Sequence, residues 1–82
     1  MNKRIIYIYA SWCESCHIMT PTMEQVKKHI PVNMVNADYE DVIGKYNVRN
    51  IPATILVENN QESRRFIGTK SLNQILSWAN NG

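Results

Sequence analysis

An apolar run, Ile5-Ile6-Tyr7-Ile8-Tyr9-Ala10, leads through Ser11 and Trp12 into Cys13-Glu14-Ser15-Cys16, with a helical pattern on the far side. A run this short and continuous fits a strand buried on both faces, in the middle of a sheet. Beyond the cysteines, Ile18, Met19, Met23, Val26 and Ile30 recur at helical spacing, and Glu24, Lys27 and Lys28 are left for water. A central strand that passes directly into a helix implies a layered α/β arrangement, and both of the chain's cysteines sit at the junction. Thiols three positions apart lie on the same side of the first helical turn and can close a small disulfide ring with little backbone movement. A helix start also offers unpaired N–H groups and the positive end of the macrodipole, which stabilise a thiolate. Redox chemistry is the leading reading of the pair.

The rest of the chain completes the fold. The spacing predicts a strand over residues 4–10 and a helix over about 13–29, bent at Pro21 and ended by Pro31. A second strand follows over 32–37, then a short helical stretch over about 40–46 with Val42, Ile43 and Tyr46. The loop Arg49-Asn50-Ile51-Pro52 opens into the apolar strand Ala53-Thr54-Ile55-Leu56-Val57, and Asn59-Asn60 supplies a turn to a strand over about 63–67. After Gly68, Ser71 is placed to cap a last helix carrying Leu72, Ile75, Leu76 and Ala79. The order is βαβαββα: an α/β fold with a four-stranded mixed sheet flanked by helices, parallel across the helical crossover and antiparallel in the closing hairpin. Residues 1–82 read as a single domain without repeats or low-complexity segments.

Composition narrows the partners. A chain of 82 residues with 44% hydrophobic and 20% charged residues can build one modest core and fits an ordinary globular protein. A net charge of +2 is too small to argue for nucleic acid or an anionic membrane, and Lys3-Arg4, Lys27-Lys28 and Arg64-Arg65 are scattered enough to be solvated surface. Lys3-Arg4 followed by Ile5 to Ala10 imitates an export signal. The apolar part is shorter than the roughly 7–15 residues of such a signal, and cleavage there would remove the strand that feeds the cysteines. No stretch approaches the ~18–20 apolar residues of a membrane span. The expected compartment is the reducing cytoplasm, where a cysteine pair is more often catalytic or metal-binding than structural.

In a redox site the two sulfurs divide the work. Cys13, at the helix start and more exposed, is the thiolate that attacks a target disulfide, and Cys16, one turn inside, resolves the mixed disulfide. Rival chemistries use the same letters. Cys13 to His17 spells the c-type haem attachment pattern, so a small haem electron carrier is an alternative. It needs a second axial ligand, yet the methionines are at 1, 19, 23 and 34, and the only other histidine is His29. A zinc-stabilised binding module would use Cys13, Cys16, His17 and His29 or a carboxylate, but adjacent Cys16 and His17 point in different directions on a helix. Two inert buried thiols are the plainest alternative. His17 is expected to face solvent, its positive form helping to hold the thiolate.

Taken together, Ala10-Ser11-Trp12-Cys13-Glu14-Ser15-Cys16, Pro21, Ile51-Pro52-Ala53-Thr54 and Phe66-Ile67-Gly68 resemble the thioredoxin family over nearly the whole chain. The resemblance implies a minimal thioredoxin fold and a thiol–disulfide oxidoreductase that reduces protein disulfides without a bound cofactor. It implies a cis peptide bond before Pro52, with that loop packed against the dithiol. Trp12, Ile51, Pro52, Ile67 and Gly68 would then form the rim that receives a disulfide-containing protein around Cys13. Electrons would come from thioredoxin reductase or from glutathione, to a protein acting as a monomer.

The departures from the family pattern concern the chain's start and the site's floor. Thioredoxins usually begin with an additional strand and helix, whereas here the strand that leads to the cysteines starts almost at Met1. The family's buried aspartate aligns with Tyr7 and its lysine partner with Met34, a coherent double loss because either alone would leave a buried unpaired charge. Deprotonation of Cys16 is then left to water, to Cys13 or to a group such as Glu14. The family's Gly-Pro between the cysteines is Glu14-Ser15, which relaxes the turn and sets a carboxylate beside Cys13, two effects whose net direction on the potential is open. The short form is similar to glutaredoxins, and a glutathione-dependent disulfide reductase is the nearest alternative. Glutaredoxins carry a tyrosine between the cysteines, Thr-Val-Pro at the cis proline and a Gly-Gly-acid motif. The corresponding places here read Glu14-Ser15, Asn50-Ile51-Pro52 and Ile67-Gly68-Thr69-Lys70, leaving Arg49 or Lys70 to pair with a carboxylate.

Overall fold

The apolar run becomes β1 (Lys3–Tyr9), a central strand whose residues Ile5, Ile6, Tyr7 and Ile8 are all buried. The computed structural model describes residues 2–80. After β1 come α1 (Glu14–Val26), β2 (Val32–Asn36), α2 (Val42–Tyr46), β3 (Ala53–Glu58), β4 (Gln61–Ile67) and α3 (Leu72–Asn80). The sheet order is β2-β1-β3-β4. β1 runs parallel to β2, with α1 as the crossover, and antiparallel to β3, which pairs antiparallel with β4. This is the βαβαββα mixed sheet that the sequence pattern implies.

Alternation along β1 divides the core. Ile5 and Tyr7 join Met19, Met23 and Val26 of α1, Leu56 of β3, and Ile75 and Ala79 of α3. Ile6 and Ile8 turn to the other face with Val35, Val42, Val48, Ile55 and Val57. Two helices therefore cover one face and the five-residue α2 covers the other. Each fully buried isoleucine, leucine or methionine contributes roughly 1.5–3 kcal/mol, so β1 and β3, which each feed both cores, carry most of the fold's apolar burial within the sheet.

Element ends shift where local chemistry intervenes. α1 stops at Val26 and not near 29, because Lys28 and His29 donate to carbonyls three residues back, Gln25 and Val26, in a tighter closing turn. Pro21 sits inside α1 on its exposed side, where the helical donor it lacks is missed least. α2 starts at Val42 because Asp41 is its cap, with Oδ1 accepting from Gly44 N–H at 2.9 Å. β4 begins two residues earlier than the pattern suggests. Asn59 and Asn60 both take positive φ, 54° and 67°, so a two-residue turn brings Glu58 directly opposite Gln61. At α3, Ser71 and Gln74 cap reciprocally: Ser71 N–H donates to Gln74 Oε1 at 2.9 Å and Gln74 N–H to Ser71 Oγ at 3.2 Å.

Candidate active site

β1 delivers the chain to one end of the sheet, and a tight turn, closed by Cys13 N–H donating to the Ala10 carbonyl at 3.2 Å, swings it into α1. Cys13 is the N-cap, in extended conformation, and its Sγ accepts the Cys16 N–H at 3.2 Å. Cys13 and Cys16 are joined in a disulfide with their Cα atoms 5.2 Å apart. Both are buried, Cys13 at 6% exposure and Cys16 at 1%, so the capping sulfur is the more accessible one. The Ser15 hydroxyl lies 3.6 Å from Cys13 Sγ. A disulfide sulfur carries no hydrogen, so the hydroxyl is the donor. His17 Nε2 lies 3.0 Å from the Ser11 carbonyl, which only accepts; the imidazole is therefore tied to the loop before the cysteines.

Opposite the disulfide, the Ile51–Pro52 peptide bond is cis. Ile51 packs against the cluster of Ala10, Cys13 and Cys16, and Pro52 is buried beside it. Gly68 N–H donates to the Pro52 carbonyl at 2.8 Å, and Gly68 adopts φ 95°, a conformation in which a side chain would be strained. Ile67 stands half-exposed on the strand that ends there, and Trp12 is 73% exposed. Pro52 and Gly68 thus meet directly, Ile51 touches the sulfur cluster, and Trp12 and Ile67 lie open to solvent. A groove of about 250 Å³ runs between Trp12 and Ile51, floored by Ala37, Val42 and Val48 and edged by Ile43 and Arg49. Nothing in the sequence placed Ala37, Val42, Ile43 and Val48 at the site, because only the packing of α2 brings them beside Trp12 and Ile51. Asp38 is another: its Oδ2 accepts Ser11 N–H at 3.2 Å and pins the loop before Trp12.

Beneath the sulfurs the site is lined by neutral hydroxyls. Tyr7 is wholly buried, and its hydroxyl lies 2.9 Å from Thr20 Oγ1 and 3.5 Å from the Cys16 carbonyl. Cys16 and Thr20 are four apart on α1, one helical turn, so one face of the helix presents both to β1. Burial pushes the Tyr7 phenol above its ordinary pKa, the Thr20 hydrogen bond opposes this, and Tyr9, stacked at 5.7 Å, adds to it. Tyr7 is therefore a protonated, neutral group at physiological pH and no proton acceptor for Cys16. Met34 is its neighbour across the parallel pair, and Thr54 its partner on β3. The Thr54 hydroxyl is buried without a hydrogen-bond partner among the described residues.

Comparison with known proteins agrees with this geometry. The sequence pattern of the thioredoxin family matches residues 1–81. The chain belongs to the thioredoxin family. It is similar to thioredoxin of Rickettsia bellii, 28% identical over 94% of this chain and 78% of that protein. With Mycoplasma pneumoniae thioredoxin it shares 32% identity over 82% of this chain and 70% of that one. Among solved structures it matches malaria parasite thioredoxin-2 with TM-score 0.89 at 22% identity, over 99% of this chain and 84% of that one. Fasciola hepatica thioredoxin gives 0.86 at 20% identity, over 98% and 80%.

Membership with a closed Cys13–Cys16 pair makes the chain a thiol–disulfide oxidoreductase, and the family implies disulfide-bonded protein substrates. Among the described residues no three His, Cys, Asp or Glu gather as a metal set. The glutaredoxin alternative gains no better support. Lys70, one of the two cations open to a glutathione carboxylate, has its Nζ 5.1 Å over the Phe66 ring, while Arg49 edges the groove beside Trp12. No helix among the described residues is long and apolar enough to cross a membrane.

Proposed function

We propose that residues 1–82 act as one catalytic domain that reduces protein disulfides with Cys13 as nucleophile and Cys16 as resolving thiol. The observation that carries the assignment is the position of Cys13, whose more accessible sulfur caps α1 and accepts the Cys16 N–H. In the reduced protein that N–H and the helix terminus stabilise a thiolate on Cys13. The thiolate attacks one sulfur of the target disulfide, forming a mixed disulfide and releasing the other target sulfur as a thiolate that takes up a proton. Cys16 then loses its proton and attacks Cys13 Sγ, re-forming the Cys13–Cys16 bond and releasing the second target thiol. Two electrons pass to the target, and the protein is left oxidised.

Trp12, Ile51, Pro52, Ile67 and Gly68 form the rim that receives the substrate. Trp12 offers a flat apolar contact beside the sulfur, and backbone groups flanking Pro52 pair with an extended target segment. The electron donor is thioredoxin reductase with NADPH, with glutathione as the competing source, and the protein works as a monomer in the cytoplasm. Cys13→Ser abolishes reduction of a protein disulfide, and Cys16→Ser accumulates a mixed disulfide visible by mass spectrometry. Full activity in both variants overturns the assignment. Comparing turnover of the oxidised protein by thioredoxin reductase with its reduction by glutathione decides the donor.

A further inference from the structure

We propose that the Ser15 hydroxyl is a catalytic hydrogen-bond donor to Cys13, acting with the Cys16 N–H to stabilise the attacking thiolate and so setting its pKa. The inference rests on Cys13 being the nucleophile. Ser15 occupies the first turn of α1, is exposed, and holds its hydroxyl 3.6 Å from Cys13 Sγ, within hydrogen-bond reach for the large sulfur atom. In the disulfide this is a weak bond to a neutral acceptor. Reduction turns the same sulfur into an anion, and a hydrogen bond to an ionised partner is roughly twice as strong as a neutral one. The donor therefore favours the reduced, ionised state over the oxidised one.

The neighbouring residue shows why a second donor matters. Glu14 opens α1 immediately after Cys13, where its carboxylate suits the helix macrodipole but repels a negative sulfur. The backbone supplies one direct donor to Cys13 Sγ, the Cys16 N–H at 3.2 Å, and Ser15 supplies another from the side of the turn. The proline of the family pattern at this place has neither an N–H nor a hydroxyl to give. Glu14-Ser15 thus sets a carboxylate, which opposes a negative sulfur, next to a hydroxyl, which favours one.

The test titrates Cys13 alone, in a Cys16→Ser background, by the pH dependence of alkylation and of thiolate absorbance. Ser15→Ala should raise the Cys13 pKa by about one unit, a tenfold loss of thiolate at pH values below it. Ser15→Thr, which keeps the hydroxyl, should hold the pKa near the parent value. With both cysteines present, Ser15→Ala should shift equilibrium with a glutathione buffer up to tenfold toward the protein disulfide, ~30 mV more reducing. An unchanged pKa in Ser15→Ala, or an equal shift in Ala and Thr, overturns the role of the hydroxyl. Failure of the underlying assignment looks different: in the reduced parent protein, Cys16 and not Cys13 would be alkylated first.

Discussion

Rim and floor of the disulfide site depart from the family pattern to different degrees. Around the sulfurs, Trp12, the cis Ile51–Pro52 bond and Gly68 keep the thioredoxin arrangement, with Gly68 N–H bonded to the Pro52 carbonyl. Underneath, where the family resemblance implies an acid and a basic partner, stand Tyr7 and Met34, and the polar contacts are hydroxyl to hydroxyl and hydroxyl to carbonyl. On the proposed assignment a protein disulfide that reaches Cys13 meets the rim, which ties the rim's shape to the substrate. The floor meets no substrate. It has only to avoid a lone buried charge, and a neutral solution serves even with the Thr54 hydroxyl left without a partner among the described residues.

Restoring half of the lost ion pair is the severest way to break this contrast. Tyr7→Asp buries a carboxylate with no cation beside it and deletes a buried ring, and should cost roughly 3–5 kcal/mol in denaturant unfolding. Adding Met34→Lys should recover part of that loss, because residues 7 and 34 are paired neighbours on β1 and β2. Additive behaviour of the two substitutions would show that the floor has been rebuilt beyond a simple exchange of partners. Trp12→Ala attacks the rim instead. With Trp12 73% exposed, stability should stay within about 0.5 kcal/mol of the parent. Its kcat/KM toward a protein disulfide should fall about tenfold, near 1.4 kcal/mol, and toward a small soluble disulfide far less. Equal losses for both substrates would make Trp12 a shield of the sulfurs and no docking surface.

A milder change sharpens the floor's side of the comparison. Tyr7→Phe keeps the ring and removes the hydroxyl bonded to Thr20, so unfolding free energy should drop by about 1 kcal/mol. The pH dependence has a definite sign. Burial raises the Tyr7 pKa above its ordinary value of 10.0, so the native state keeps the proton after the unfolded chain has lost it. The resulting stability is fully present below pH 10.0 and is lost as pH rises from there through the native pKa. Alkaline destabilisation should therefore be shallower in Tyr7→Phe than in the parent, as read from thermal unfolding across that range.

Much of this was legible from residue spacing. A continuous apolar run marked β1, the helical period marked α1, and Ser71 with Leu72, Ile75 and Ala79 marked α3, because each signal repeats several times within its element. The cysteine pair was legible because its chemistry is local, whereas the place of Pro52 beside it followed only from the family resemblance. The boundary of β4 was not, since it depends on two asparagines both accepting positive φ, which residue type permits but does not require. Nor were the Tyr7–Thr20 bond and the groove under Trp12, which exist only once α1 and α2 have packed on opposite faces of β1. Ser15 was read for the proline it replaces, and its hydroxyl gained meaning only when its direction toward Cys13 was known.

The smallest expected effect lies at the outer support of the rim. The register of β3 and β4 shifts between Leu56 and Val57, so that Leu56 faces Arg64 while Val57 faces Glu62, and Ser63 is the extra residue. That bulge brings Glu62 and Arg65, three apart, onto one side, with Arg65 Nε 2.6 Å from Glu62 Oε2. The guanidinium so oriented donates to the carbonyls of Tyr46 at 3.0 Å and Asn47 at 3.2 Å, clamping the end of the short helix that borders the groove. The hydrogen bond from Arg65 holds the Glu62 carboxyl below its ordinary pKa of 4.5, so its stabilisation is present above pH 4.5 and is lost as pH falls through the lower native value. Glu62 is exposed and Arg65 half-buried, so solvent screening through the carboxylate keeps the magnitude small. Glu62→Gln should cost about 0.3–0.5 kcal/mol at neutral pH and nothing at a pH where the parent carboxyl is already protonated. Unfolding midpoints that differ equally at both pH values would assign the effect to the bulge itself, and a loss above 1 kcal/mol at neutral pH would mean that α2, and with it the groove wall, hangs on this one guanidinium.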